Sequence, residues 1–222
     1  MSGMASTPAP AGSGQVPEEA GFYHEAALNA AWTGARLAVG GLTFLFGAFA
    51  FAYFYLESTN SDGRWKGSGY VAPPTATGIA IMLLVVASAG LQTVVLQRIK
   101  AGRKRTWQAG ATIALVLGLV AVGLQVAELL NLPFQPGSSG FSSVFTAFYP
   151  VLAVTLIVAL LWLEGLLMRS RSIPAISFIE QPPTYAQAFA VQRFQASLSG
   201  FTVVWNYLAI VTVIFWFLFY TD

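Results

Sequence analysis

The chain has 222 residues, of which 56% are hydrophobic and only 9% are charged, and its mean hydropathy is +0.66. Soluble domains carry roughly 25% charged residues, so this composition predicts a membrane protein. The sequence has no Cys and a single His, His24, which excludes disulfides, iron–sulfur clusters, bis-His haem and multi-His copper sites formed by this chain alone.

The N-terminal segment is predicted to lie outside the membrane. Residues 1–20 are rich in Ala, Gly, Ser and Pro, a composition typical of disordered segments. The first basic residue is Arg36 and no apolar stretch precedes it, so we do not expect a signal peptide. Residues 21–33 are predicted to form a short helix at the membrane interface. We therefore divide the chain into an N-terminal tail, 1–33, and a membrane domain, 34–222.

Five long apolar stretches follow the tail. Each is long enough for a helix to cross the hydrocarbon core, which takes about 20 residues. A membrane barrel would show alternating segments of about ten residues instead. No internal repeat supports an inverted-repeat transporter. We therefore predict an all-α polytopic membrane protein with five transmembrane helices, at about 35–57, 75–97, 107–131, 141–168 and 198–220.

The basic residues predict the orientation of these helices. Only Arg64 and Lys66 lie on one side of the predicted membrane domain, and all other basic residues lie on the opposite side. The positive-inside rule then places the N-terminus in the cytoplasm and the C-terminus outside. We interpret the net charge of +2 as this topology signal and not as a nucleic-acid site, although the loop at 98–105 also suits anionic lipid headgroups. The residues on the predicted cytoplasmic side are Arg36, Arg98, Lys100, Arg103, Lys104, Arg105, Arg169, Arg171 and Arg193.

Two acidic residues lie inside the predicted spans, where a carboxylate is costly unless it is paired, protonated or hydrated. Glu164 lies near the cytoplasmic end of the fourth helix, one turn from Arg169, and we interpret it as structural. Glu128 lies near the outer end of the third helix, with Gln125 three residues earlier on the same face. Two interpretations of Glu128 stay open: a satisfied interfacial acid, or a functional or partner-facing residue. Because no catalytic constellation accompanies it, an independent enzyme is not expected.

Aromatic residues mark the predicted outer boundary of the membrane. Amphipathic rings settle at headgroup level, so we interpret this group mostly as an anchoring belt. Its members are Tyr53, Phe54, Tyr55, Trp65, Tyr70, Phe134, Phe141, Phe215, Trp216, Phe217, Phe219 and Tyr220.

Four segments carry patterns that occur together in one protein family. Segment 123–134, GLQVAELLNLPF, contains Gln-x-x-Glu followed by Pro-Phe. Segment 139–149, SGFSSVFTAFY, is a Gly-led, Phe-rich start of a helix. Segment 205–220, WNYLAIVTVIFWFLFY, begins with Trp and ends in Tyr, and segment 46–53, FGAFAFAY, is a weaker match. With five helices and a cytoplasmic N-terminus, these patterns resemble subunit III of the haem–copper terminal oxidases, in its short five-helix bacterial form.

The resemblance implies a non-catalytic role in aerobic respiration. Subunit III packs beside subunit I, which bears the haem and copper, holds phospholipids in a cleft, supports proton uptake and protects the oxidase during turnover. The implied partners are oxidase subunits I and II and membrane phospholipids, and cytochrome c or another donor acts only through partner chains. The implied location is the bacterial inner membrane, with no cofactor on this chain. The residues carried over, as structural, interface or lipid positions, are Gln125, Glu128, Trp205, Tyr207, Tyr53 and Trp162.

The chain departs from the family pattern where the family has titratable or polar residues. The family's His-Gly-x-His-Val signature is replaced by LAVTL at 152–156. The His, Asp and second Trp of the closing motif are replaced by Asn206, Ala209 and Thr212, and the acid of the first helix by Thr43. The resemblance therefore implies a divergent member.

Three alternatives stay open from the sequence. The same family includes accessory proteins of bacterial nitric oxide reductases. A small transporter or channel would use Glu128 as its proton or ion site, although a pore should show polar stripes on several helices. An assembly factor without a stoichiometric oxidase partner is the third.

Overall fold

The computed structural model describes residues 18–60, 63–67, 70–179 and 185–221, and within them it contains helices and no strand. Each of the five α-helices is long and apolar enough to cross a membrane. The chain is therefore an all-helical, multi-pass membrane protein, and the predicted fold class is confirmed. The α-helices are α1 (Glu18–Ser58), α2 (Thr75–Lys100), α3 (Lys104–Leu130), α4 (Gly140–Ser172) and α5 (Tyr185–Tyr220), with a short 3₁₀ helix (Ala175–Phe178) before α5.

Two helices begin well before the predicted spans. The short interfacial helix predicted at 21–33 is instead a continuous part of α1, because this Ala-rich stretch favours helix and no proline interrupts it. Residues 185–197, predicted as part of a loop, form the first turns of α5, where the Phe194 ring packs edge-on against Trp107 at 5.4 Å. Of the predicted disordered tail, residues 1–17 lie outside the described residues.

The last helix lies at the centre of the bundle. α5 packs against α1, α2 and α4, and α4 also packs against α1 and α3. α1 and α5 run parallel, since Gly200 contacts Ala31 and Ala35 near one end while Phe219 contacts Tyr53 near the other. α4 and α5 are the most buried spans and α1 is the least buried, so α1 exposes most of its apolar surface.

Hydrogen bonds between α3 and α4 define one end of the bundle. The Lys104 ammonium donates to the main-chain carbonyl of Ile173, just beyond α4. One turn along, Gln108 Nε2 donates to Ser170 Oγ at 2.8 Å. A cation at the carboxyl end of a helix is favoured by the helix dipole. We call this the basic end, because the last turns of α2 and α4 also carry Arg98, Lys100, Arg169 and Arg171.

Interlocking aromatic rings fill the opposite end, which we call the aromatic end. Tyr53 lies edge-on to Trp65 at 4.9 Å, and Phe148 stacks on Phe215 at 3.9 Å. The prediction that these aromatic residues form an anchoring belt is wrong for those that are buried. Their rings, from α1, α4, α5 and the loop after α1, pack against one another in the core. The buried members are Tyr53, Trp65, Phe141, Phe215 and Phe219.

Candidate functional site

The candidate site is a buried carboxylate held by two tyrosines at the aromatic end. Glu128, in the last turn of α3, is only 4% exposed. The Tyr149 hydroxyl donates to Glu128 Oε2 at 3.1 Å, and the Tyr220 hydroxyl donates to Oε1 at 2.6 Å. The two hydroxyls also contact each other. These three residues, which we call the carboxylate cluster, join α3, α4 and α5.

Gln125 joins α3 to α4 beside the cluster. It lies three residues before Glu128 on α3, so both side chains share one helix face, as the sequence predicts. Gln125 Nε2 donates to the main-chain carbonyl of Tyr149 at 3.1 Å. A carbonyl can only accept, so the amide nitrogen must face it and Oε1 must point elsewhere. Gln125 and Glu128 therefore form hydrogen bonds with the neighbouring helices and not with each other.

Helix α2 closes the cluster from the remaining side. A Cβ atom built on Gly78, in the first turn of α2, would lie 2.5 Å from Cε1 of the Tyr220 ring. The α2 backbone thus packs directly on this ring, and only glycine leaves the ring where it is. A cavity of about 20 Å³ lies beside the cluster, with Gln125, Thr212 and Trp216 among its lining residues.

The chemistry of the cluster is that of hydrogen bonding inside a low-dielectric interior. Taking a carboxylate out of water costs several kcal/mol unless hydrogen bonds compensate, and Glu128 accepts one from each tyrosine. Both carboxylate oxygens therefore accept hydrogen bonds from within the chain. Within the described residues, no group of three His, Asp or Glu side chains could hold a metal ion.

Trp205 lies in a second polar contact, nearer the middle of the bundle. Its indole Nε1 donates to Ser88 Oγ on α2 at 3.1 Å, and Ser88 Oγ donates to the main-chain carbonyl of Ala114 on α3 at 2.7 Å. All three helices are therefore joined through one serine. Next to it, Asn206 Nδ2 donates to Thr93 Oγ1 at 3.0 Å, so Asn206 also joins α5 to α2.

The other three residues that the sequence resemblance selects take part in neither group of polar contacts. Tyr53 is part of the aromatic packing, Trp162 lies edge-on to Phe201 at 5.6 Å, and Tyr207 is half-buried against the core. Glu164, interpreted from the sequence as structural, is exposed on α4. Of the six predicted positions, the structure brings only Gln125 and Glu128 together.

Two members of the cluster are not singled out by the sequence. Tyr149 is the last residue of a Phe-rich segment and is given no role of its own, and Tyr220 is predicted as part of the anchoring belt. The signal that identifies them is chemical: a tyrosine hydroxyl inside an apolar helix needs a hydrogen-bond partner. Glu128 supplies that partner for both tyrosines at the aromatic end.

No protein-family model matches the chain, and a search of curated proteins finds no significant match. Function is therefore inferred from the residues and their geometry.

Proposed function

We propose that the chain is a non-catalytic subunit III of a haem–copper terminal oxidase of the cytochrome c oxidase type, in a bacterial inner membrane. One observation carries this proposal. Each of the three stronger segments that resemble the family contributes one residue to the carboxylate cluster, in chain order Glu128, Tyr149 and Tyr220. Segments far apart in the sequence thus meet at one buried point, as expected when a shared structural element is retained.

In this proposal the chain packs on the metal-bearing subunit I, holds phospholipids, and supports proton uptake and the stability of the complex. The haem and copper belong to partner chains, and the basic end faces the cytoplasm. The exposed apolar surface of α1 supports a role in packing, since Phe44 is 87% exposed and Phe51 is 71% exposed. Large outward-facing side chains of this kind suit contact with lipid or with another transmembrane helix.

The geometry gives less support to a transporter that uses Glu128. Both carboxylate oxygens accept hydrogen bonds, and the cavity beside them measures only about 20 Å³. A volume of this size accommodates about one water molecule.

The proposal is tested by purifying the tagged full chain from its native membranes in mild detergent, followed by a visible spectrum and mass spectrometry. A haem Soret band with large His-rich partners in stoichiometric amounts is the expected result. Reduction of O₂ and of nitric oxide by the purified complex then separates a terminal oxidase from a nitric oxide reductase. A colourless chain that purifies alone would overturn the oxidase proposal, and substoichiometric partners would indicate an assembly factor.

A further inference from the structure

Two buried polar atoms near the carboxylate cluster have no hydrogen-bond partner among the described residues. They are Gln125 Oε1 and the indole Nε1 of Trp216. The Gln125 side chain is 1% exposed, and its nitrogen is already committed to the Tyr149 carbonyl. A buried acceptor or donor left unpaired costs about 1–3 kcal/mol, so such atoms are normally satisfied by protein or by ordered water.

Both residues line the same cavity, whose volume is about 20 Å³. One ordered water needs roughly 10–15 Å³ of such space and two to four polar partners. The lining supplies a donor in the Trp216 indole and an acceptor in the Gln125 amide. Thr212 also lines the cavity, and because its hydroxyl donates to the Leu208 carbonyl at 2.8 Å, its oxygen still has lone pairs to accept with.

We propose that this cavity is a binding site for one water molecule, which accepts from Trp216 Nε1 and donates to Gln125 Oε1. Its second hydrogen reaches the Thr212 oxygen or one of the cluster's tyrosine hydroxyls, since Tyr149 and Tyr220 line the same space. The water satisfies both unpaired atoms at once. It also links the carboxylate cluster to Trp216, which lies one turn before Tyr220 on α5. This proposal does not depend on the oxidase assignment.

The test is water-to-indole magnetisation transfer by NMR on the ¹⁵N-tryptophan-labelled full chain in lipid nanodiscs. Trp216→Phe identifies the Trp216 resonance. Trp205 is the internal reference, because it is 1% exposed and its indole donates to Ser88. We expect strong transfer from water to Trp216 and none to Trp205.

Variants show whether the transfer comes from the proposed site. Gln125→Met should reduce transfer at Trp216 to the level of Trp205, and Gln97→Met, the same change at an exposed position, should leave it unaltered. If Gln125→Met disturbs the Trp205 resonance and hence the fold, Thr212→Val provides the second test, with reduced transfer expected. Equal transfer at Trp216 and Trp205 in the unmodified chain would overturn the proposal, as would full transfer in a folded Gln125→Met chain.

Discussion

The Tyr220 hydroxyl donates a 2.6 Å hydrogen bond to Glu128, which joins the last residue of α5 to the last turn of α3. These residues are 92 positions apart in the sequence. Glu128 is buried, so a lost tyrosine donor would leave an unpaired acceptor, and this bond and its Tyr149 counterpart are costly to break. The carboxylate cluster therefore stabilises the packing of α3, α4 and α5 at the aromatic end.

Replacing the Glu128 carboxylate by an amide should weaken the hydrogen bonds of the cluster. Glu128→Gln leaves one oxygen for two tyrosine donors and adds an amide donor, so we expect a loss of about 1–3 kcal/mol in stability. Thermal unfolding of the purified chain in detergent measures it. In the proposed oxidase complex, we expect altered complex stability or sustained turnover with unchanged haem content. Glu164→Gln, at an exposed acid, is the matched control and should change neither; loss of haem from the Glu128→Gln complex would contradict the expectation.

The bond between Tyr220 and Glu128 should appear as an energetic coupling. Tyr220→Phe alone should cost about 1 kcal/mol or more, because it removes one donor from a buried acceptor. Combined with Glu128→Gln, the two losses should not add, since both variants act on the same hydrogen-bonded pair. Tyr55→Phe, at an exposed tyrosine of α1, should add independently to Glu128→Gln. Simple additivity for Tyr220→Phe in denaturant unfolding would show that the bond contributes nothing.

The contact between Gly78 and Tyr220 should be intolerant of a methyl group. Gly78→Ala places Cβ 2.5 Å from the ring and must displace α2 or Tyr220, so we expect destabilisation of about 1–3 kcal/mol. Gly90→Ala in the same helix meets nothing within 4 Å and should be neutral or slightly stabilising, since alanine favours helix. Melting temperatures of the two variants, measured side by side, check this. A Gly78→Ala chain as stable as Gly90→Ala would refute the close packing.

Removing the Ser88 hydroxyl should leave the buried Trp205 indole without its hydrogen-bond acceptor. Ser88→Ala takes the acceptor from Trp205 Nε1 and the donor from the Ala114 carbonyl, with an expected cost of about 1–3 kcal/mol. Ser172→Ala, at an exposed serine of α4, is the control and should lie within about 0.5 kcal/mol of the unmodified chain. Trp fluorescence during unfolding reports the change. Equal stability of the two variants would count against this contact.

The number and class of the helices follow from the sequence because hydropathy alone decides them. The starts of α1 and α5 do not, since Ala-rich helical turns outside the apolar stretch have no hydropathy signal. The candidate acid Glu128 and its neighbour Gln125 are predictable from their cost in a membrane. Their partners Tyr149 and Tyr220 are not, because an apolar ring pattern does not distinguish a surface belt from a packed interior. That distinction depends on how α1, α4 and α5 pack.

The parallel packing of α1 on α5 constrains how the protein is made. The ribosome synthesises α1 before α5, so α1 emerges before the helix that supplies its Gly200 and Phe219 contacts exists. During synthesis the first four helices lack their contacts with α5, which packs against α1, α2 and α4 in the complete bundle. A chain interrupted before Tyr185 therefore lacks the helix against which α1, α2 and α4 pack. We expect cellular quality control to recognise such a chain as unassembled.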